Sequence, residues 1–138
     1  MSMLRPAVAA IIAAIGLAAC VTAPPLACTG AAQAKTVVEL YLGRNIAGGG
    51  TVTEAAFRRF LDEDVTPRLP NGFTVLDGRG QWREGAGAPI TREATKVLVV
   101  ALADERERQR LDEIADAYKA RFRQKSVLTI ARPACVAF

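Results

Sequence analysis

The residues whose types and spacing could do chemistry are Glu39, Tyr41, Arg44, Asn45, Trp82, Arg83 and Lys96. Glu39 and Tyr41 stand two apart in Thr36-Val37-Val38-Glu39-Leu40-Tyr41-Leu42, so on a strand their side chains leave by the same face. Arg44 and Asn45 follow directly. Trp82 and Arg83 come from a second strand or hairpin, and Lys96 from a third. A carboxylate beside Tyr, Arg and Trp on an uncovered sheet face would form a small-ligand pocket. There Glu39 would act as a general base and Arg44 would hold an anionic group. The same residues fit a plainer arrangement. Glu39 would pair with Arg or Lys across strands, and Tyr41 and Trp82 would pack at a dimer interface.

Other chemistries are excluded by composition. The 138 residues include no histidine. That removes a Ser-His-Asp triad, a Cys-His pair and every His-ligated zinc or iron site. The three cysteines lack metal-ligand spacing, and no GxxxxGK[ST] phosphate loop is present. Gly48-Gly49-Gly50 is not the dinucleotide fingerprint. It reads as a flexible connector, although backbone N–H groups before a helix can also hold an anion. No catalytic residue, metal or cofactor is therefore assigned. The net charge of +4 comes mostly from helices of mixed sign, with Lys and Arg interleaved among Asp and Glu over 104–125. This is not the clustered basic footprint of a nucleic-acid binder.

The elements that must position these residues follow from periodicity. The segment 36–42 alternates as a strand, with Val38, Leu40 and Leu42 on a purely apolar face. Thr51 or Thr53 caps a helix over Glu54–Val65, whose core face is Phe57, Phe60, Leu61 and Val65. Pro67 ends it, and Pro67-Arg68-Leu69-Pro70 sets the turn that follows. A second strand starts at Phe73, bends or bulges at Asp77-Gly78-Arg79-Gly80, and resumes at Gln81-Trp82-Arg83. A third runs from Ile90 to Leu102, its apolar end suggesting burial on both faces. Asp104 caps a second helix reaching about Gln124, with a stripe of Leu111, Ile114, Ala115, Tyr118 and Phe122. A last strand over Ser126–Ala131 stops at Pro133, and the apolar tail 134–138 packs down. The order is β-α-β-β-α-β, the split-βαβ or ferredoxin-like α+β arrangement. Two right-handed crossovers place both helices on one face of a four-stranded antiparallel sheet and leave the other face bare.

The N-terminus carries an address. Arg5 is followed by thirteen small and apolar residues, Ala7 to Ala19, shorter than the roughly 20 a spanning helix needs. Leu17-Ala18-Ala19-Cys20 resembles the bacterial lipobox. The resemblance implies cleavage before Cys20, a diacylglycerol thioether on its sulfur and usually an N-acyl chain. Two or more chains make such an attachment stable. Two rivals remain open: soluble secretion after cleavage at Ala32-Gln33-Ala34, and retention of the leader as a short anchor. The expected organisation is a signal peptide over 1–19, a Pro-, Ala- and Thr-rich tether over 20–34, and one α+β domain over 35–138. Val21 rather than aspartate after the cysteine leans toward the outer membrane. With Cys20 lipidated in an oxidising envelope, Cys28 and Cys135 are left to pair, closing a loop of 107 residues. The alternative is that both stay free.

Glu39-Leu40-Tyr41-Leu42-Gly43-Arg44-Asn45, the Gly48-Gly49-Gly50 loop, 66–75 (TPRLPNGFTV), Gly80-Gln81-Trp82-Arg83 and Thr95-Lys96-Val97 together resemble a bacterial family, domain of unknown function 3574. The resemblance spans about 36–138. It implies a lipoprotein-type leader before such a domain and brings no activity, cofactor or site residue with it. The expected function is that of a lipid-anchored envelope module whose bare sheet face binds another chain, an envelope protein or its own copy. The alternative is a cofactor-independent small-molecule binder or enzyme, dimeric, built on Glu39, Tyr41, Arg44 and Trp82.

Overall fold

The computed structural model describes residues 26–138. Cys20, the leader and the first part of the tether lie outside the described residues. The elements are β1 (Gln33–Gly43), α1 (Glu54–Phe60) running into a π-helical turn (Leu61–Val65), β2 (Thr74–Trp82), β3 (Thr91–Ala101), α2 (Glu105–Phe122) and β4 (Leu128–Val136). The sheet order is β2-β3-β1-β4, and all three neighbouring pairs are antiparallel. This is the expected α+β architecture. Among the described residues no helix is long and apolar enough to cross a membrane.

Both helices cover the same side of the sheet. Val38, Leu40 and Leu42 of β1 lie opposite Val100, Leu98 and Lys96 of β3, so these six side chains share a face. The apolar five are fully or nearly fully buried in one cluster with Phe57 and Phe60 of α1 and Leu111, Ile114, Tyr118 and Phe122 of α2. The Phe60 ring meets Tyr118 edge-on at 5.1 Å between centroids and Phe122 at 5.8 Å. Such tilted aromatic contacts lock the two helices together beyond the area they bury.

The helix ends follow their caps. The Thr53 hydroxyl accepts the Ala56 N–H at 3.1 Å. Asp104 accepts the Glu107 N–H at 3.1 Å, and Glu107 reaches back to accept the Ala103 N–H at 2.7 Å. This is a capping-box exchange displaced by one residue. Glu107 is almost wholly buried, and Asn71 donates a further bond to it at 2.7 Å. A buried carboxylate is tolerable only with such partners.

Several local expectations need correction. β2 pairs with β3 without a slip from Thr74 to Trp82, so Gly78 and Gly80 make neither bend nor bulge. β4 does not stop at Pro133 but runs to Val136. β4 is an edge strand, where a missing N–H that faces solvent costs no ladder bond. The tail does not pack down as a unit: Ala134 to Val136 extend β4, and Phe138 is fully exposed. β1 begins at Gln33 rather than Thr36, so the sheet takes in what reads as the end of the tether. Finally, β3 is not buried on both faces. Leu98 and Val100 are buried, whereas Val97 and Val99 on the helix-free side are only half-buried.

Cys28 and Cys135 form a disulfide, with 5.5 Å between their Cα atoms. Cys135 lies opposite Ala34 in the β1–β4 ladder. The bridge therefore closes beside the start of β1.

Candidate functional site

Three successive glycines with φ of 88°, 111° and 91° reverse the chain after β1. Few residues with a Cβ could follow that path. The reversal is stitched by Ile46 N–H to Gly50 O at 3.0 Å and Val52 N–H to Arg44 O at 2.8 Å. Residues 44–52 are thus a short folded flap, not a loose connector. The turn after α2 meets it: the Gln124 side chain donates to Asn45 O at 2.7 Å.

Between this flap, the 123–126 turn and the helix-free side of the sheet lies a cavity of about 460 Å³. Its floor is Tyr41, Gly43, Gly80, Trp82, Glu93 and Thr95, with Leu128 at one side. The floor residues share a face by register, since Gly43 opposes Thr95 and Gly80 opposes Glu93. Glu93 is the group at its centre. One carboxylate oxygen accepts the Trp82 indole N–H at 2.8 Å, and the other accepts the Asn45 backbone N–H at 3.2 Å. Asn45 is tied to the same strand a second time, its side chain donating to Arg92 O at 3.3 Å. The carboxylate rests on bare backbone: a Cβ at Gly43 would stand 2.7 Å from it, and one at Gly80 would stand 3.3 Å from the Thr95 hydroxyl. On the other side of the sheet, Tyr118 donates its hydroxyl to Gly43 O at 2.9 Å. That fixes the strand end under the cavity. Burial pushes the Tyr118 phenol well above its usual range, so it acts there as a neutral donor.

Of the residues singled out from sequence, Tyr41, Asn45 and Trp82 line this cavity. The others do not. Glu39 lies further along β1, where the Arg132 guanidinium pairs with it at 2.6 Å and the Tyr41 hydroxyl donates to it at 2.7 Å. Those two bonds, Arg132's the larger, hold its carboxyl below the usual range, while the bond to Glu39, with burial second, holds the Tyr41 phenol above its own. A carboxylate so held is a weaker base than a free one, which argues against a general-base role. Arg44 is on the helix side: it donates to Val52 O and pairs with Glu54 at 2.5 Å. It shares strand parity with Leu42, not with Tyr41, so it cannot reach an anion in the cavity. Lys96 is also beneath the helices, nearly buried, with Asp77 at 2.6 Å, Glu54 at 3.1 Å and the Phe57 ring centroid at 5.5 Å. Arg83 is exposed and outside the lining. Arg68 binds Asp64 O at 2.7 Å and sits near Glu113 at 3.5 Å, consistent with a turn-setting role.

Sequence reasoning missed Glu93. Its signal was present in Gly80, inside β2, and Gly43, at the end of β1, since a glycine in a strand can mark a close approach of some other group.

The remainder of the helix-free face is open and apolar in part. Leu76, Leu128 and Ile130 are 51, 58 and 37% exposed, and they flank Val97, Val99 and Tyr41 by register.

Comparison with known proteins gives the following. A phage SAM lyase in complex with S-methyl-5'-thioadenosine superposes with a TM-score of 0.56 at 13% identity, covering 84% of this chain and 97% of that one. A phage SAM lyase in the apo state gives 0.56 and 13%, covering 78% and 86%. At that identity the likeness is one of fold. No curated protein matches the chain. The family model described as Protein of unknown function (DUF3574) matches residues 37–138.

Proposed function

The chain belongs to the DUF3574 family, a protein family of unknown function, and from that starting point we propose that it is a small-ligand-binding module held at the bacterial cell envelope. The observation that carries this reading is the cavity of about 460 Å³ at the end of the sheet, lined by Tyr41, Trp82, Glu93 and Thr95. A concave, largely apolar site with a few convergent polar groups is the usual form of a small-molecule site. The flap and the 123–126 turn wall it on two sides. The phage lyase of the same fold holds a nucleoside thioether, which makes S-methyl-5'-thioadenosine one sensible probe. No reaction is assigned: Glu39, the carboxylate first considered as a base, is paired with Arg132.

Trp82 is the sole tryptophan of the chain, so its emission reports directly on the cavity. A fragment panel that includes S-methyl-5'-thioadenosine should contain members that shift Trp82 emission and raise the melting temperature. A panel in which none does either refutes the reading.

The envelope location rests on the lipobox-like Leu17-Ala18-Ala19-Cys20. Intact mass of membrane-extracted protein should show acyl chains on a mature N-terminal Cys20. A mature N-terminus at Lys35 would overturn it.

A second reading is favoured by the exposed Leu76, Leu128 and Ile130. Apolar side chains grouped on an uncovered sheet face are a form of association surface. A second copy or an envelope protein would dock there, on a surface that adjoins the cavity and shares Leu128 with it. A monomeric protein at high concentration would count against self-association.

A further inference from the structure

We propose that the ligand of this cavity is a small organic cation on a flat or apolar body, with Glu93 as its counter-charge. This rests on the ligand-binding reading above and specifies its chemistry.

Three charged residues line the cavity: Glu93, Arg123 and Lys125. Lys125 is already engaged, its ammonium 2.5 Å from Glu84, which lies outside the lining. Arg123 occupies the left-handed position that ends α2 and is exposed. Water and salt screen a charge so placed. Glu93 is different. It is partly buried, and its two partners, the Trp82 indole and the Asn45 amide, are neutral donors. Among the described residues it makes no ion pair.

An ionised carboxylate has about four acceptor positions. Two are filled by those donors, so the remaining two are open to a ligand. Gly43 and Gly80 add no side chains of their own here, so the Glu93 side chain lies directly against the strands. The Trp82 indole gives its N–H edge to the carboxylate and lines the cavity, where its ring offers a surface for a flat ligand body. Ile46, Ala47 and Leu128 offer apolar surface for the rest of such a molecule. An ammonium or protonated heterocycle on an aromatic frame matches these features.

The test uses three probes of the same carbon count and different charge on the purified full chain: 2-phenylethylamine, 2-phenylethanol and phenylacetate. Binding is read by calorimetry and by Trp82 emission. The amine should bind about tenfold more tightly than the alcohol, as expected of a charge-assisted contact, and the carboxylate should bind more weakly than both. Glu93→Gln should bring the amine down to the affinity of the alcohol. Equal affinity for amine and alcohol, tightest binding of the carboxylate, or an unchanged preference in Glu93→Gln overturns the charge assignment while the cavity reading survives. Silence of all three probes in both readouts overturns the two together. The comparison on the wild-type chain decides the matter even if the variant fails to fold.

Discussion

Gly43→Ala should disturb the cavity far more than the fold. The new Cβ would lie 2.7, 2.8 and 2.9 Å from the Oε2, Oε1 and Cδ atoms of Glu93, closer than real contacts permit, so the Glu93 side chain must swing away. It would then surrender the bonds from Trp82 at 2.8 Å and Asn45 at 3.2 Å. Both are at an exposed site, so their combined worth is about 1–2 kcal/mol. In the other direction, replacing a glycine by alanine recovers at most roughly 0.5–1 kcal/mol, the value for a strand interior, and Gly43 is the last residue of β1. Gly43 does not have a positive φ, so no backbone strain adds to the cost. The net loss of stability should be about 0–1.5 kcal/mol, measured by urea unfolding. The indole N–H of Trp82 should nevertheless lose its carboxylate partner. In a proton–nitrogen correlation spectrum its resonance should move upfield, and its solvent exchange should quicken. An unmoved indole resonance in a stably folded Gly43→Ala protein would refute the placement of Glu93. A loss above about 3 kcal/mol would refute the claim that only a flexible side chain has to give.

Three further outcomes follow from the same contacts. Reducing the Cys28–Cys135 bridge, or replacing Cys135 by Ser, should lower stability by about 3–5 kcal/mol in urea unfolding, given the 107-residue separation. Tyr118→Phe should cost about 1–3 kcal/mol in the same assay, because the fully buried phenol leaves Gly43 O without its donor. Glu39→Gln should flatten the acid side of the stability profile. A carboxyl with a depressed folded pKa contributes stability that is present above its unfolded pKa and is lost as pH falls through the folded one. The difference between Glu39→Gln and the parent should therefore shrink steadily below about pH 4.3, the unfolded value for Glu.

The architecture could be read from the chain because local pattern and global packing agree. Val38, Leu40 and Leu42 alternate, Phe57 and Phe60 recur at helical spacing, and Asp104 and Thr53 cap where they should. The site is harder to read because strand parity, which decides the face, is masked locally. Leu98 and Val100 have the same parity as Lys96, so Lys96 belonged under the helices. The unbroken apolar run 97–102 hid the alternation. Arg44 has the parity of Leu42, and it turns to Val52 O and Glu54 on the helix side. Pro133 read as a stop because sequence does not say which strand lies at an edge. Glu93 carried no local signature of its own, since its importance comes from glycines 13 and 50 positions away.

The disulfide has an outcome of another kind. Every peptide bond from residue 28 to residue 135 lies inside one covalent ring. A protease that cuts once anywhere in that ring opens it without releasing a fragment. The nicked molecule would keep its mass on a non-reducing gel, and both pieces would stay with whatever holds the chain upstream of Cys28. Two cuts within the ring, or one such cut and a reductant, would be required before any part of the ring could be shed.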